Sequence, residues 1–361
     1  MKVCVGTVTR HPEDARIMHR QIRALLDAGH EVTYVAPFTD CNVTPAPELR
    51  AIDVPRAVGL HRVRAHRAGV AALRRGARDA DLLLVHDLDL LLALPRRRPP
   101  TVWDVHEDMA ARLDGKTLPR LIRRLEARAE RRLHLILAEQ SDRFGREHPV
   151  VPNHTYVPDA LSKPSGDNRI VAIGRLGESR GAADLIEVAR LLHPYGIRLD
   201  LIGPADPHIR PLLRDAQRSG LLDWFGYVPN RHALRMAEGA LAGLSLAHDV
   251  PAHRDALPTK VIEYLARGVP VISTPLPRAV AALRGDGIVV PFGDPEAVAQ
   301  AVLDLKADPA RRHALTARGH ARARAEFHWP DRAGAFVAHL EAWAGAPSPV
   351  AARSSHRAVP A

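Results

Sequence analysis

The sequence predicts an α/β protein built from two doubly wound parallel-sheet domains in series. Three observations carry this. Short apolar runs alternate with helix-period segments along nearly all of the 361 residues, and a strand–helix–strand order implies right-handed crossovers and parallel pairing. A Pro- and Asn-punctuated stretch divides the alternation into two series. The length is about twice that of a typical single domain.

The first series opens with VCVGTV (3–8) as a strand, then a polar loop and a helix near 16–28 that Gly29 stops. EVTYVAP (31–37) is the next strand. A helical pattern over 69–80 precedes LLLVHD (82–87), an apolar run ending in polar groups. TVWDVHE (101–107) repeats this form, and its carboxyl end delivers Asp104, His106 and Glu107. A helix over 119–132 and a strand near 134–138 complete a Rossmann-like domain over 1–150. Residues 151–168 are expected to be the linker.

The second domain, 169–326, begins at RIVAIG (169–174) and continues through helix 181–192, strand RLDLIG (198–203) and a helix near 208–219. WFGYV (224–228), helix 230–239, strand GLSLA (243–247), helix 259–267 and strand PVIST follow. GIVVP (287–291) and helix 295–305 close the sheet, with helices near 309–326 and 330–344 after it. Residues 345–361 are low in apolar content and expected to be disordered. Open α/β sheets bind ligands beyond the carboxyl ends of their strands, so two in series predict a central cleft where those ends meet.

Composition narrows the function. A formal charge of +10, carried mainly by arginine, suits phosphate-bearing ligands or an anionic membrane surface. Two unpatterned cysteines, Cys4 and Cys41, point to a reduced, cytoplasmic chain. The amino terminus lacks a signal-peptide core. The longest apolar stretch, DLLLVHDLDLLLALP, is interrupted by His86, Asp87 and Asp89 and is not expected to span a membrane. Neither OB, RRM nor zinc-finger signatures accompany the charge, so nucleic acid is not an expected partner.

Two segments carry chemistry. In RDALPTKVIEYLARGVPVIST, Asp255 lies before a helix, and Thr259, Lys260 and Glu263 lie on its first turns. A helix amino end offers unpaired N–H groups to a phosphate, Lys260 adds a point charge, and Glu263 can accept from a hydroxyl pair. The plain alternative is dipole complementation by a first-turn acid. In IGRLGESRGAADLI, Gly174, Gly177 and Gly181 keep the backbone accessible while Arg175 and Arg180 can grip a diphosphate. It is neither a Walker A loop nor a GxGxxG fingerprint.

GRLGESRG followed by RDALPTKVIEYLARGVPVIST resembles the retaining GT-B glycosyltransferases of family 4. HPEDARIMHRQIRALLDAGHEVTYVAP, HDLDLLLAL and WDVHED resemble that family's acceptor-side strands and loops, so the likeness covers roughly residues 2–344. Asp255 and Glu263 keep the family's acidic spacing, with Asp255 shorter than the usual glutamate, and Arg180 stands where lysine is commoner. Phe327, Trp329 and the following helix resemble the element, 327–344, that returns to the first domain.

The resemblance implies a GT-B fold with an acceptor-binding first domain and a nucleotide-sugar-binding second domain. It assigns Gly174, Arg175, Arg180, Thr259 and Lys260 to the donor diphosphate, Glu263 to the ribose and Asp255 to donor-sugar hydroxyls. Backbone groups at Tyr227 and Val228 would read the base. His106 would lie near donor sugar and acceptor. It also implies a retaining, same-face, dissociative displacement from a UDP-sugar in preference to a GDP-sugar, with neither metal nor prosthetic group required. The acceptor hydroxyl would belong to a natural product, an aminocyclitol or a lipid-linked glycan. A UDP-sugar 2-epimerase and a non-catalytic sugar-nucleotide-binding or scaffold protein remain alternatives, and oligomeric state is not legible.

Other motifs are weaker. Asp87-Leu-Asp89 looks like a DxD metal motif but follows a strand of the acceptor domain, and HEDMA lacks the second histidine of HExxH. Asp104, Glu107 and Asp108 could be read as a glycosidase pair, though close spacing says little about geometry. Among His86, His248 and His253, the first two best match strand ends. Helix 118–133 carries Leu118, Leu121, Ile122, Leu125 and Ala129 at helical spacing among arginines. Packing on its own sheet is the favoured reading, with peripheral contact on the inner membrane face as the alternative.

Overall fold

The structure is a computed structural model that describes residues 1–59, 62–91, 93–94, 98–106, 108–112, 117–162, 166, 168–254 and 256–345. Its described residues divide into two units: those of 1–153 together with 330–345, and those of 154–329.

In the first unit, six strands run β1 (Lys2–Gly6), β2 (Glu31–Ala36), β3 (Arg50–Asp53), β4 (Leu82–Val85), β5 (Thr101–Val105) and β6 (His134–Leu137). All pair in parallel in the order β3-β2-β1-β4-β5-β6. The order reverses beside β1, so the carboxyl ends of β1 and β4 flank the switch point where such sheets take ligands. Every residue of β4 and β5 is buried, as continuous apolar runs covered on both faces require. Strand β3 is absent from the sequence reading because it is a mostly exposed edge with no apolar run.

The helix expected over 16–28 is not regular. A π-turn over Ile17–Ile22 precedes a short α-helix, Arg23–Asp27. Gln21 N–H reaches back to Arg16 carbonyl at 3.0 Å, so residues five apart share one face. The helix Arg62–Gly76 begins before the expected residue 69. Helix Pro330–Ala344 buries Phe336 and Leu340 within this unit.

The second unit repeats the plan with β7 (Arg169–Ile173), β8 (Arg198–Ile202), β9 (Leu222–Trp224), β10 (Ala242–Ser245), β11 (Val271–Ser273) and β12 (Ile288–Val289). They are parallel in the order β12-β11-β10-β7-β8-β9. One core face packs under helices Ala182–Leu192 and Pro295–Ala307, the other under Thr259–Ala266. Strand β9 ends at Trp224, earlier than the expected 224–228. Its carbonyl ladder stops where Phe225 N–H takes Leu201 carbonyl, and Gly226 follows with φ +66°. Helix Pro277–Leu283, with proline in its first turn, was not anticipated. Within 151–168, Val151 and Val157 are buried, and Thr155 exchanges backbone bonds with Phe327 and Trp329.

Candidate active site

In the second unit, β7 ends at Ile173, Gly174 follows it, and the glycine–arginine segment forms a 3-10 turn, Glu178–Arg180. Gly181 closes that turn at φ +74°, where an added Cβ would stand 2.2 Å from the carbonyl of Leu246. No other residue fits there. Helix Ala182–Leu192 follows directly.

Helix Thr259–Ala266 starts after Pro258 with no side-chain cap. It buries Val261 through Ala266, and Tyr264 anchors it: the phenol oxygen accepts from Ile173 N–H at 2.7 Å and donates to Leu244 carbonyl. The Tyr264 ring fills the space above Gly243, which a Cβ would obstruct. Burial raises that phenol above its ordinary 10. The same helix carries Lys260 to the end of β7, where an added Cβ on Gly174 would lie 3.7 Å from Lys260 Cε. Burial and the neighbouring Arg180 lower the Lys260 ammonium from 10.5 to about 8, with Glu263 partly opposing. Glu263 is 4% exposed and accepts from Asn230 Nδ2 at 3.0 Å. Lys260, Arg180, Gly174 and Glu263 are therefore brought together, a compact cationic group beside one buried carboxylate.

Other expected donor residues stand differently. Arg175 is exposed and engaged with Asp206, at 2.8 Å through Nε and 2.5 Å through a terminal nitrogen. Tyr227 is exposed and Val228 half-buried, both beyond the end of β9. Asp255 lies outside the described residues. His248 is not free at its strand end: its ring meets Asp184 at 2.8 Å and its N–H bonds Ser179 carbonyl.

In the first unit, the ends of β1, β4 and β5 open on a pocket lined among others by Thr9, Arg10, His86, Trp103, His106 and Met109. The Asp87 carboxylate accepts from Thr7 and Thr9 hydroxyls and from Val8 and Thr9 N–H groups, fixing the loop after β1. Asp89 pairs with Arg62 at 2.6 Å and His66 at 3.1 Å. Both carboxylates of Asp-Leu-Asp thus have protein partners.

Beneath the cavity, Asp104 is wholly buried and gripped by Arg16 through Nε at 2.7 Å and a terminal nitrogen at 2.6 Å. The π-turn sets Gln21 on the same face, donating to Asp104 Oδ2 at 2.9 Å. His106 Nε2 lies 3.0 Å and His86 Nδ1 3.2 Å from that oxygen. Burial works to raise the Asp104 carboxyl, but Arg16 and His106 outweigh it and hold it well below the usual range. Burial lowers His106, Asp104 opposes this, and Arg10 and His86 add to the lowering. His86, Asp104 and His106 are close enough to suggest a metal site. The donor set does not fit one: a guanidinium already neutralises the carboxylate, and a cation would meet it at contact distance. Asp108 is taken by Arg123 and Arg143, and Glu107, the other member of the glycosidase reading beside Asp104, lies outside the described residues.

The family described as Glycosyl transferases group 1 matches residues 167–308, and Glycosyltransferase Family 4 matches residues 15–144. The chain is a GT-B fold protein related to the family 4 glycosyltransferases. The proposed colanic acid biosynthesis glycosyltransferase WcaL of Escherichia coli K12 is 28% identical over 153 residues, 40% of this chain and 37% of WcaL. The chain thus matches little more than a third of that relative's length. Sucrose-phosphate synthase of Thermosynechococcus elongatus superposes with a TM-score of 0.72 at 17% identity, covering 94% of this chain and 99% of that one. Anabaena HepE, solved with UDP and glucose, gives 0.70 at 15% identity, covering 95% and 100%.

Within this GT-B chain, sequence reasoning missed Asn230, Arg16, Gln21 and Asp206 as partners of the named side chains. Asn230 stood inside the quoted GYVPN, but its reach to Glu263 requires the helix geometry. The helix Thr117–Glu130 follows its favoured reading in part, since Ile122 and Ala129 pack on the core with Trp103 and Leu135. Leu118 and Leu121 are about half exposed, while Glu126, Ala129 and Glu130 face inward. Glu126 and Glu130 are buried against Arg123, Arg143 and His148, so ion pairing fixes this helix and leaves its leading leucines outward. Among the described residues no helix is long and apolar enough to cross a membrane.

Proposed function

We propose that the chain is a retaining glycosyltransferase that moves a sugar from a UDP-sugar to a hydroxyl acceptor. The observation that carries this is the convergence of Lys260, Arg180 and Glu263 at the end of β7. The two cations stabilise a diphosphate, most strongly as charge builds on it when the glycosidic bond breaks. Glu263, held by Asn230, accepts from the ribose hydroxyls. Arg175 joins the diphosphate by exchanging Asp206 for it, and Asp255 contacts the donor sugar. Thr259 lends the amino end of its helix, and the backbone at Tyr227 and Val228 meets the base. Departing diphosphate remains on the acceptor's face and takes its proton, which preserves the anomeric configuration.

Support for UDP comes from HepE, whose structure holds UDP and glucose. WcaL, named for colanic acid biosynthesis, supports a saccharide hydroxyl as acceptor. The proposed acceptor is carried by a lipid-linked glycan, with Leu118 and Leu121 and the surrounding arginines resting on an anionic surface.

Incubation with UDP- and GDP-sugars and a lipid-linked and soluble acceptor panel, followed by mass analysis, tests the reading. A new glycoside with retained configuration is expected, lost in Lys260→Ala and Glu263→Ala proteins that remain folded. Unchanged turnover in both variants would sink the assignment. A changed free nucleotide sugar without acceptor would mark an epimerase instead, and failure to bind anionic liposomes would remove the lipid-surface part.

A further inference from the structure

Resting on the transferase reading, we infer that His248 and Asp184 are positioning residues that set Arg180 for the donor diphosphate, by fastening its loop on either side to the segment leaving β10.

Three contacts from one short segment bracket Arg180. Strand β10 ends at Ser245, and residues 246–248 leave it at the carboxyl edge of the sheet, where β10 lies between β7 and β11. The His248 backbone N–H donates to Ser179 carbonyl at 2.9 Å, just before Arg180 in the chain. The His248 ring meets Asp184 Oδ2 at 2.8 Å, one helical turn after it. Between these two bonds, Gly181 lies so close that an added Cβ would stand 2.2 Å from the Leu246 carbonyl oxygen. A carboxylate offers no hydrogen, so ring Nε2 donates to Asp184 and the bond is charge-assisted.

The segment is itself held from elsewhere. The buried Thr274 hydroxyl donates to Ala247 carbonyl at 2.6 Å, and a ring nitrogen of His253 lies 3.2 Å from the His248 carbonyl oxygen. It therefore gives the loop a fixed strut. The loop needs one, because Glu178–Arg180 is a single 3-10 turn with no side-chain cap, and such turns have poor hydrogen-bond geometry of their own. Asp184 also complements the dipole in the first turn of helix Ala182–Leu192, a role that affects stability alone. Positioning is a separate consequence of where the bonds fall. They enclose Arg180, whose charge is felt by the buried Lys260, so the place of its guanidinium beside that ammonium depends on the backbone they fix. Neither His248 nor Asp184 needs to touch the ligand.

Calorimetric titration of the full chain with UDP tests the coupling. His248→Ala and Asp184→Ala are each expected to weaken UDP by about tenfold, the order of one lost hydrogen bond to a charged group. His248→Gln, whose amide nitrogen reaches the Nε2 position, keeps most of the affinity. In an Arg180→Ala background neither alanine substitution weakens UDP further. Additive losses in that background, or His248→Gln as weak as His248→Ala, would overturn the inference. Hydrogen exchange of the UDP-free proteins reads the loop without ligand: the amides of 180–182 exchange faster in both alanine variants, while β7 and β8 stay as protected as in the wild type. Unchanged exchange at 180–182 overturns the inference, and loss of protection throughout the sheet would mark the pair as stabilising only. Should an alanine variant fail to fold, Asp184→Asn, which keeps an acceptor without its charge, is read by the same criteria with a smaller expected loss. A loop that loosens in a chain whose wild type binds no UDP strikes the donor reading alone. UDP binding through a loop that His248→Ala leaves unaltered strikes this inference alone.

Discussion

Asn230, the first residue of one helix, donates its side-chain amide to Oε1 of Glu263 in the second turn of another, at 3.0 Å. The carboxylate is nearly buried, so this bond helps decide where its oxygens point. Asn230→Ala removes a donor from a buried charge, with an expected cost of about 1–3 kcal/mol in urea unfolding. Under the proposed function UDP binding weakens in parallel, because the carboxylate proposed to meet the ribose is no longer held. Calorimetry checks the second effect, and a variant with wild-type UDP affinity would separate Glu263 from the ribose.

Lys260 predicts a pH dependence. Its free value of about 8 lies below the ordinary 10.5. A diphosphate favours the ammonium and raises that value on binding. Below pH 8 the group is charged in both states, so Lys260 adds no pH dependence there. Above pH 8 binding takes up a proton, and UDP affinity falls as pH rises, by at most about tenfold per unit. Isothermal titration in buffers of different ionisation enthalpy detects the proton uptake directly. Lys260→Met abolishes it; the same uptake in that variant would assign the proton elsewhere.

The two sheets were legible because buried parallel strands leave unbroken apolar runs, as LLLV in β4 and IVAI in β7 do. The cationic group around Lys260 was legible because its members lie in two short segments that each end a strand. What escaped notice depends on backbone irregularity or long-range contact. The π-turn at Ile17–Ile22 has no apolar period of its own, yet it places Arg16 and Gln21 together on Asp104, 88 and 83 residues away. The exposed edge β3 carries no burial signal. In helix Thr117–Glu130 the apolar stripe turns inward at Ile122 and Ala129 but not at Leu118 and Leu121, and buried Glu126 and Glu130 find basic partners from the loop after β6.

Arg175 and Asp206 predict an effect of opposite sign. Their pair is exposed, so it contributes little to stability, about 0–1 kcal/mol. It nevertheless occupies the guanidinium that the proposed function gives to the diphosphate. Asp206→Asn frees Arg175 and is expected to tighten UDP binding several-fold with little change in the unfolding midpoint. Arg175→Ala weakens binding. If Asp206→Asn weakens it too, the carboxylate is positioning Arg175 instead of competing for it.

Arg16 and Asp104 give the largest expected stability change. Breaking a buried ion pair from one side leaves an uncompensated charge, so Arg16→Met is expected to cost about 3–5 kcal/mol. The pH dependence identifies the cause. In the wild-type chain the Asp104 carboxyl lies well below 3.8, so its contribution is present above that value and is lost as pH falls through the lower folded one. Without Arg16 the burial that opposes ionisation is no longer outweighed, and the carboxyl takes up a proton at higher pH. His106 and Asp14 adjoin the site and share in that titration. The deficit between variant and wild type is therefore widest near neutrality and narrows on acidification. Urea unfolding across that range measures it; a deficit constant with pH would mean that Arg16 stabilises the fold by packing and by its bonds to Val151 and Asn153, not by neutralising Asp104.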